Sequence, residues 1–197
     1  MVFLNAAVEG LTDEALVRRI CSYCGITIQN VYSQGGKANL DRKLPGYNNS
    51  ARTRWWLILR DLDHDAVCAA QLLTQLLPSP ARYMNFRIAV RELESWLMAD
   101  TETIAMFLSI SPKLIPRNPE DLDDPKRTLI NLARRSRRRN IREDMVPRLN
   151  SGSDEGPAYA SRIQEYTSKC WRPDVASVSC DSLKRCLNRL LNLNPIF

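Results

Sequence analysis

The sequence predicts an α/β fold: a mainly parallel four-stranded sheet flanked by helices, followed by a helical C-terminal extension. Three observations predict it. Strand-like apolar runs alternate with helical patterns over residues 1 to 109, the order expected of a parallel sheet with crossover helices. The run Trp55 to Leu59 shows little alternation, as a central strand covered on both faces should. Two apolar runs end in carboxylates: Glu9 follows Met1 to Val8, and Asp61, Asp63 and Asp65 follow Leu57 to Arg60.

The elements follow in order. Met1 to Val8 is expected to be the first strand. Thr12 is a fitting cap for a helix to about Cys24, with Leu16, Val17 and Ile20 on one face and Gly25 as its end. Ile26 to Tyr32 alternates and is expected to be the second strand. Gln34-Gly35-Gly36-Lys37 is a turn, and the polar residues 38 to 50, with Pro45-Gly46, predict a loop with at most a short helix. After the third strand comes a helix over Ala66 to Leu77, stopped by Pro78. Phe86 to Val90 is the fourth strand, and Glu92 to Leu108 a long amphipathic helix with Leu93, Trp96, Leu97 and Ile104 inward.

From residue 110 the character changes. Pro112, Pro116, Pro119 and Pro125 punctuate an acid-rich linker. Then come a basic helix from about Lys126 to Arg139, a Gly/Ser loop at 151 to 153, and helices near Ala158 to Tyr166 and Ser182 to Leu191. The expected organisation is an α/β domain over 1–109 and a helical extension over 110–197 packed on it.

Composition is that of a soluble globular protein, with 44% hydrophobic and 25% charged residues. No apolar run approaches the roughly 18 residues that span a membrane, and the N-terminus does not read as a secretory signal. Six scattered cysteines in a chain of 197 residues suggest reduced thiols and a cytoplasmic protein. Cys21-x-x-Cys24 lacks two further ligands for zinc and reads as two helix residues, at least one of them buried.

The carboxylates carry the chemistry. Along an extended strand Asp61, Asp63 and Asp65 would share one side; at a strand-to-helix turn they would splay around a pocket. Hard oxygen ligands at this density suit Mg²⁺ or Mn²⁺. Asp65 reads equally as a cap of the following helix. By this order Glu9 and Asp61 fall at the carboxyl ends of strands, where open α/β sheets bind ligands.

On these residues the chain resembles the TOPRIM domain, the Rossmann-like metal-binding domain of topoisomerases, bacterial primases and OLD-type nucleases. Glu9-Gly10-Leu11-Thr12-Asp13 resembles that family's Glu-Gly-x-x-Asp segment, and Asp61-Leu62-Asp63-His64-Asp65 its Asp-x-Asp. More narrowly, it resembles small stand-alone TOPRIM-like proteins of domain-of-unknown-function family 4276. That likeness rests on Arg91-Glu92-Leu93-Glu94-Ser95-Trp96-Leu97-Met98-Ala99-Asp100, Asp124-Pro125-Lys126 and Ser182-Leu183-Lys184-Arg185.

The resemblance implies roles. Glu9 would be a general acid/base or a metal ligand, and Asp61 and Asp63 would bind Mg²⁺. Asp65 matches a third acid, Glu94 is a further candidate ligand, and Lys126 would place a positive charge at the scissile phosphate. Gly10 would let a phosphate approach the backbone. The expected activity is metal-dependent hydrolysis of DNA, or of RNA, in phage defence or repair, beside an ATPase partner of OLD or ABC type. No tyrosine lies in a segment that reads as a topoisomerase nucleophile, and the zinc and polymerase regions of a primase are missing.

The net charge of +6 is concentrated: residues 126 to 148 hold nine basic and two acidic residues. Arg134, Arg135, Arg137, Arg138 and Arg139 exceed what a helix end needs and suggest phosphate contacts, so nucleic acid is the expected partner. Two other readings compete. One is a non-catalytic nucleic-acid-binding or regulatory subunit of an ATPase complex. The other is phosphotransfer on a receiver-like fold, which the length and basic charge disfavour. Gly35-Gly36-Lys37 is not a P-loop, because the Gly-x-x-x-x-Gly-Lys-Ser/Thr spacing is absent.

Overall fold

Four parallel strands in the order β2-β1-β3-β4 form the sheet of the computed structural model, which describes residues 1–193. In chain order these residues form β1 (Val2–Val8), α1 (Leu11–Tyr23), β2 (Ile26–Ser33), α2 (Lys37–Ser50), β3 (Trp55–Asp61), α3 (Ala69–Leu76) and β4 (Met84–Ala89). Then follow α4 (Leu93–Ala99), α5 (Thr101–Leu108), two 3₁₀ turns at Pro112–Leu114 and Pro119–Asp121, and α6 (Pro125–Arg134). The helices α7 (Arg139–Met145), α8 (Tyr159–Lys169), α9 (Pro173–Ala176) and α10 (Asp181–Leu191) complete the described residues.

The middle strand β3 explains its own composition. Trp55, Leu57 and Leu59 face one core, shared with α1 and the C-terminal helices; Trp56 and Ile58 face a second core under α2 and α3. Both faces are covered, so the strand needs no polar alternation. The Trp56 ring stacks on Tyr32 with centroids 5.7 Å apart. Trp171 is fully buried, and its indole N–H donates to the Trp96 carbonyl at 3.0 Å. It helps join the helical C-terminal region to the sheet.

Several boundaries differ from the sequence expectation, each for a physical reason. Residues 38–50 form a full helix, α2, despite Pro45 and Gly46. Leu40 and Leu44, four residues apart, are buried in the second core, and burying them contributes about 2 kcal/mol each. Tertiary burial here outweighs weak local propensity. The single helix expected over Glu92 to Leu108 is two. Buried Asp100 leaves the α4 spiral, caps α5 through the Thr103 amide, and binds the Arg172 guanidinium at 2.7 Å.

The basic helix expected over Lys126 to Arg139 also breaks. Ser136 turns inward, its hydroxyl accepting the Arg138 amide at 3.0 Å, and α7 starts afresh. The third crossover helix starts at Ala69 rather than Ala66. The N-cap position of α1 is Gly10 rather than Thr12; the Asp13 carboxylate reaches back to the Gly10 amide at 2.7 Å. The four remaining residues, from Asn194, lie outside the described ones.

All six cysteines are free, with Cys21 buried and Cys24 half-buried. Burial pushes the Cys24 thiol up to about 11 and the Cys186 thiol up to about 12, so neither is a ready thiolate. Among the described residues no helix is long and apolar enough to cross a membrane.

One glycine is required by contact. A Cβ on Gly156 would lie 2.3 Å from the Asp144 carbonyl oxygen and 2.4 Å from the Met145 carbonyl carbon. Both belong to the backbone, which cannot swing aside. Gly156→Ala should therefore cost about 3 kcal/mol, lowering the thermal midpoint by about 6–12 °C. A melt within about 1 °C of the parent protein would contradict this close approach.

Candidate functional site

The strand order creates the site. The chain leaves β1 toward β2 on one side and later returns to β3 on the other, so the carboxyl ends of β1 and β3 flank a topological switch point. Glu9 is the first residue past β1 and Asp61 the last of β3. The Asp61 amide donates to Glu9 Oε1 at 3.0 Å. Asp61 Oδ1 accepts the Leu93 amide at 3.0 Å, holding the first turn of α4 at the strand end. That contact brings Glu94 in. Glu94 Oε1 accepts the Tyr159 hydroxyl at 2.9 Å. Asp13, in the first turn of α1, is the fourth carboxylate and is buried.

These groups repel one another in a poorly solvated space. Burial first, then Asp13, Glu94, Glu9 and Asp63, push Asp61 well above the ordinary carboxylate range. Burial raises Glu9 to about 7 against the opposing Asp61 hydrogen bond, with Asp13 adding to the rise. Burial and then the charge of Glu92 raise Glu94 to about 7. Among the described residues Glu9 Oε2 and Asp61 Oδ2 accept no hydrogen bond. The cluster thus presents hard oxygen donors whose negative charge Arg60 and Lys126 offset only in part, the chemistry that suits a small divalent cation. Among the described residues no three His, Cys, Asp or Glu side chains are already drawn together to hold a metal ion.

This electrostatics has a measurable sign. The folded pKa values of Glu9 and Glu94 lie above their unfolded ones, so folded protein holds protons that unfolded chain has released. Their contribution is fully present below about pH 4.5 and is lost as pH rises through about 7. Chelator-treated protein should melt lower at about pH 8 than at about pH 5, and Glu94→Gln should narrow the gap. An unchanged gap in that variant would remove Glu94 from the explanation.

The other acids lie differently. Asp63 Oδ2 pairs with Lys37 Nζ at 2.7 Å. Asp65 pairs with the same ammonium at 3.0 Å and with Arg60 at 2.6 Å, and Arg60 also holds Asp41 at 2.9 Å. Although burial works the other way, these hydrogen bonds hold Asp65 below the usual carboxylate range. Asp65 therefore sits in an ion-pair network of two cations and three carboxylates, in which both cations reach it. Nor does it cap α3, whose N-cap position is Cys68. His64 is exposed, with Nε2 3.7 Å from Asp123.

The mouth of the site is built from unusual backbone. Asp63 (φ 47°) and Arg91 (φ 59°) are both left-handed. The Asp63 amide donates to the Arg91 carbonyl at 2.8 Å, and the Arg91 guanidinium donates to the Asp63 carbonyl at 2.8 Å. Non-glycine residues in this region persist where surroundings over-determine them, commonly at ligand sites. Gly10 shows the reverse. Its backbone is extended (φ −140°), and an added Cβ would come no nearer than 3.8 Å to Asp13. Neither conformation nor packing requires glycine there.

Lys126 is close to the cluster but engaged. Its amide donates to Glu92 Oε2 at 2.7 Å, and its Nζ pairs with Glu155 at 2.5 Å while lying 5.2 Å from the Tyr159 ring centroid. A cleft of about 470 Å³ extends from Glu92 and Lys126 past Arg127 to Arg134. Arg134, Arg135, Arg137, Arg138 and Arg139 are all exposed, spread around the corner between α6 and α7. Among the described residues Arg139 alone of these is ion-paired, with Glu143 at 2.6 Å.

Sequence reasoning missed Asp13, Glu92, Tyr159, Glu155 and Lys37 as neighbours of the site. Asp13 and Glu92 were within reach, since both stand inside motif-like segments. Tyr159 and Glu155 gave no local signal; the turn before α8 brings them there. Asp124 and Ser182 make structural contacts. Asp124 caps α6 through the Arg127 amide at 2.7 Å. Ser182 accepts the Trp96 indole N–H at 2.7 Å and donates to Glu120.

No family model matches the chain, and no curated protein matches it. Among solved structures, the C-terminal region of the Xanthomonas campestris pv. campestris OLD protein is similar over 94% of this chain and 94% of that one, at 16% identity and a TM-score of 0.39.

Proposed function

We propose that this chain is a divalent-metal-dependent nuclease that hydrolyses phosphodiesters, DNA in preference to RNA. The observation that supports it most is the set of mutually repelling carboxylates Glu9, Asp61 and Glu94 at the switch point of a parallel sheet. Asp61 and Glu94, with Asp63 once Lys37 is displaced, would hold Mg²⁺ or Mn²⁺. Bound there, the ion would neutralise phosphate charge and acidify water.

The chain's own residues would do the rest. Glu9, with its proton affinity near neutrality, suits the removal of a proton from an attacking water. The bare backbone at Gly10 leaves room for a phosphate oxygen. Lys126 would turn from Glu155 to the phosphate. The arginines at the α6–α7 corner would hold the flanking backbone.

The test combines cleavage and binding. Labelled single- and double-stranded DNA and RNA are incubated with Mg²⁺ or Mn²⁺, and Mn²⁺ binding is followed by calorimetry. Glu9→Gln should lower the cleavage rate by about 10²- to 10⁴-fold, the range of a lost general base, while retaining more Mn²⁺ affinity than Asp61→Asn. If the parent protein cleaves nothing and binds no divalent ion, the nuclease reading falls. One observation favours a second reading, a non-catalytic nucleic-acid-binding subunit: Lys37 and Glu155 already neutralise Asp63 and Lys126. Under it, both acid variants keep full nucleic-acid affinity and nothing is cleaved.

A further inference from the structure

The opposite edge of the sheet carries a second feature, independent of the acidic site. β4 is an edge strand. In its ladder with β3, the Tyr83 and Ala89 carbonyls accept the Trp56 and Leu62 amides at 3.0 and 2.9 Å. Strand alternation then turns the N–H and C=O groups of Phe86 and Ile88 away from β3, toward an edge where no strand lies beside them among the described residues; Phe86 (6% exposed) lines the cleft there, and Ile88 is 5% exposed. A cleft of about 490 Å³ runs along this edge. Leu73, Leu77, Pro78 and Phe86 line one side of it, and Arg87 and Arg189 the other.

The two arginines are the informative part. Arg87 Nε is buried with no hydrogen-bond partner. Arg189 Nε donates to Asn85 Oδ1 at 3.0 Å, an uncharged partner. Among the described residues neither guanidinium has an ion pair. Burial, ahead of the like charge of Arg189, holds Arg87 below its ordinary value. A half-buried cation beside a second cation, with no ion-pairing carboxylate among the described residues, lacks an anion.

A strand laid beside β4 would project its side chains alternately to the two faces. One set would meet Leu73, Leu77 and Phe86; the other would meet Arg87 and Arg189. We propose that the open edge of β4 is a docking groove for an extended peptide of alternating apolar and acidic residues, which adds to the sheet as a further strand. Main-chain hydrogen bonds to Phe86 and Ile88 would supply affinity, and the two faces would supply specificity. A second copy of this chain fits poorly, since pairing β4 with β4 would gather the arginines of both copies with no acid between them. A nucleic acid fits the arginines but leaves the apolar wall and the edge amides unused.

The test uses full-length protein and a labelled peptide alternating Glu and Val, followed by fluorescence anisotropy. Saturable binding is expected. Arg189→Gln should weaken it about tenfold, the size of one lost charge-assisted hydrogen bond, and Arg87→Gln added to it should weaken it further. A Lys–Val peptide should not bind. Nor should the Glu–Val peptide N-methylated along one edge, because that edge supplies the amides for strand addition. Leu77→Glu tests the apolar wall independently, should Arg87→Gln fail to fold by circular dichroism. The proposal is overturned by absent binding, by equal binding of the methylated peptide, or by affinity unchanged in Arg189→Gln and Leu77→Glu. It is equally overturned if short single-stranded DNA takes the groove in an arginine-dependent way, or if the edge proves to be occupied by a second copy in sedimentation.

Discussion

Asp61→Asn should lower cleavage by about 10³-fold and weaken divalent binding while making the metal-free protein more stable. The two effects share one cause. Asp61 is half-buried at the end of β3 and pushed above the carboxylate range by burial and by four neighbouring acids. At neutral pH its carboxyl must either ionise among like charges or keep a proton that water would remove. Asparagine ends that conflict and keeps the known contact, because its Oδ1 can still accept the Leu93 amide that Asp61 accepts at 3.0 Å. Relief of about 1 kcal/mol or more would raise the chelated protein's midpoint by about 2–4 °C per kcal/mol. A cation would find one charged ligand fewer, and cleavage should drop by about 10³-fold, the scale of losing one electrostatic contact in the transition state. Differential scanning of chelated and Mn²⁺-loaded protein reads both effects. A variant that is less stable without metal, yet still stabilised by Mn²⁺, would mean that Asp61 is an architectural residue.

Replacing Arg134, Arg135, Arg137 and Arg138 by glutamine should remove most nucleic-acid affinity and flatten its salt dependence. Each phosphate neutralised contributes about 0.9 to the slope of log affinity against log salt on duplex DNA, so four lost contacts reduce its magnitude by about 3 to 4. The fold should tolerate the change, because all four side chains are exposed. Arg139 makes an internal control. Its guanidinium is already paired with Glu143 at 2.6 Å, so Arg139→Gln alone should change the slope by less than any of the other four. Equal slopes for the parent and quadruple variants would place nucleic acid elsewhere on the surface or remove it from the function.

The parallel sheet was legible because β3 and the run before Glu9 are apolar without alternation, and because turn residues separate them from helical patterns. The place of Glu9 and Asp61 at strand ends was legible too, whereas their adjacency comes from the strand order β2-β1-β3-β4. Residues 38–50 were not. Pro45 and Gly46 signal a turn, and the helix is supported by the burial of Leu40 and Leu44 against Trp56 and Ile58, a contact between distant segments. Asp100 was not legible either, because its partner Arg172 lies 72 residues away.

By itself the sequence determined the fold class, the central place of β3 and the gathering of acids at two strand ends. These follow from periodicity and strand-end position, which are local properties. Tertiary structure alone decided how those acids divide. Asp61 and Glu94 fall into a poorly solvated cluster because the Leu93 amide and the Tyr159 hydroxyl anchor them there. Asp65, four residues from Asp61, is neutralised because Arg60 and Lys37 reach it from β3 and α2. Charge state depends on what surrounds a carboxylate in space, and residues far apart in the chain supply those surroundings.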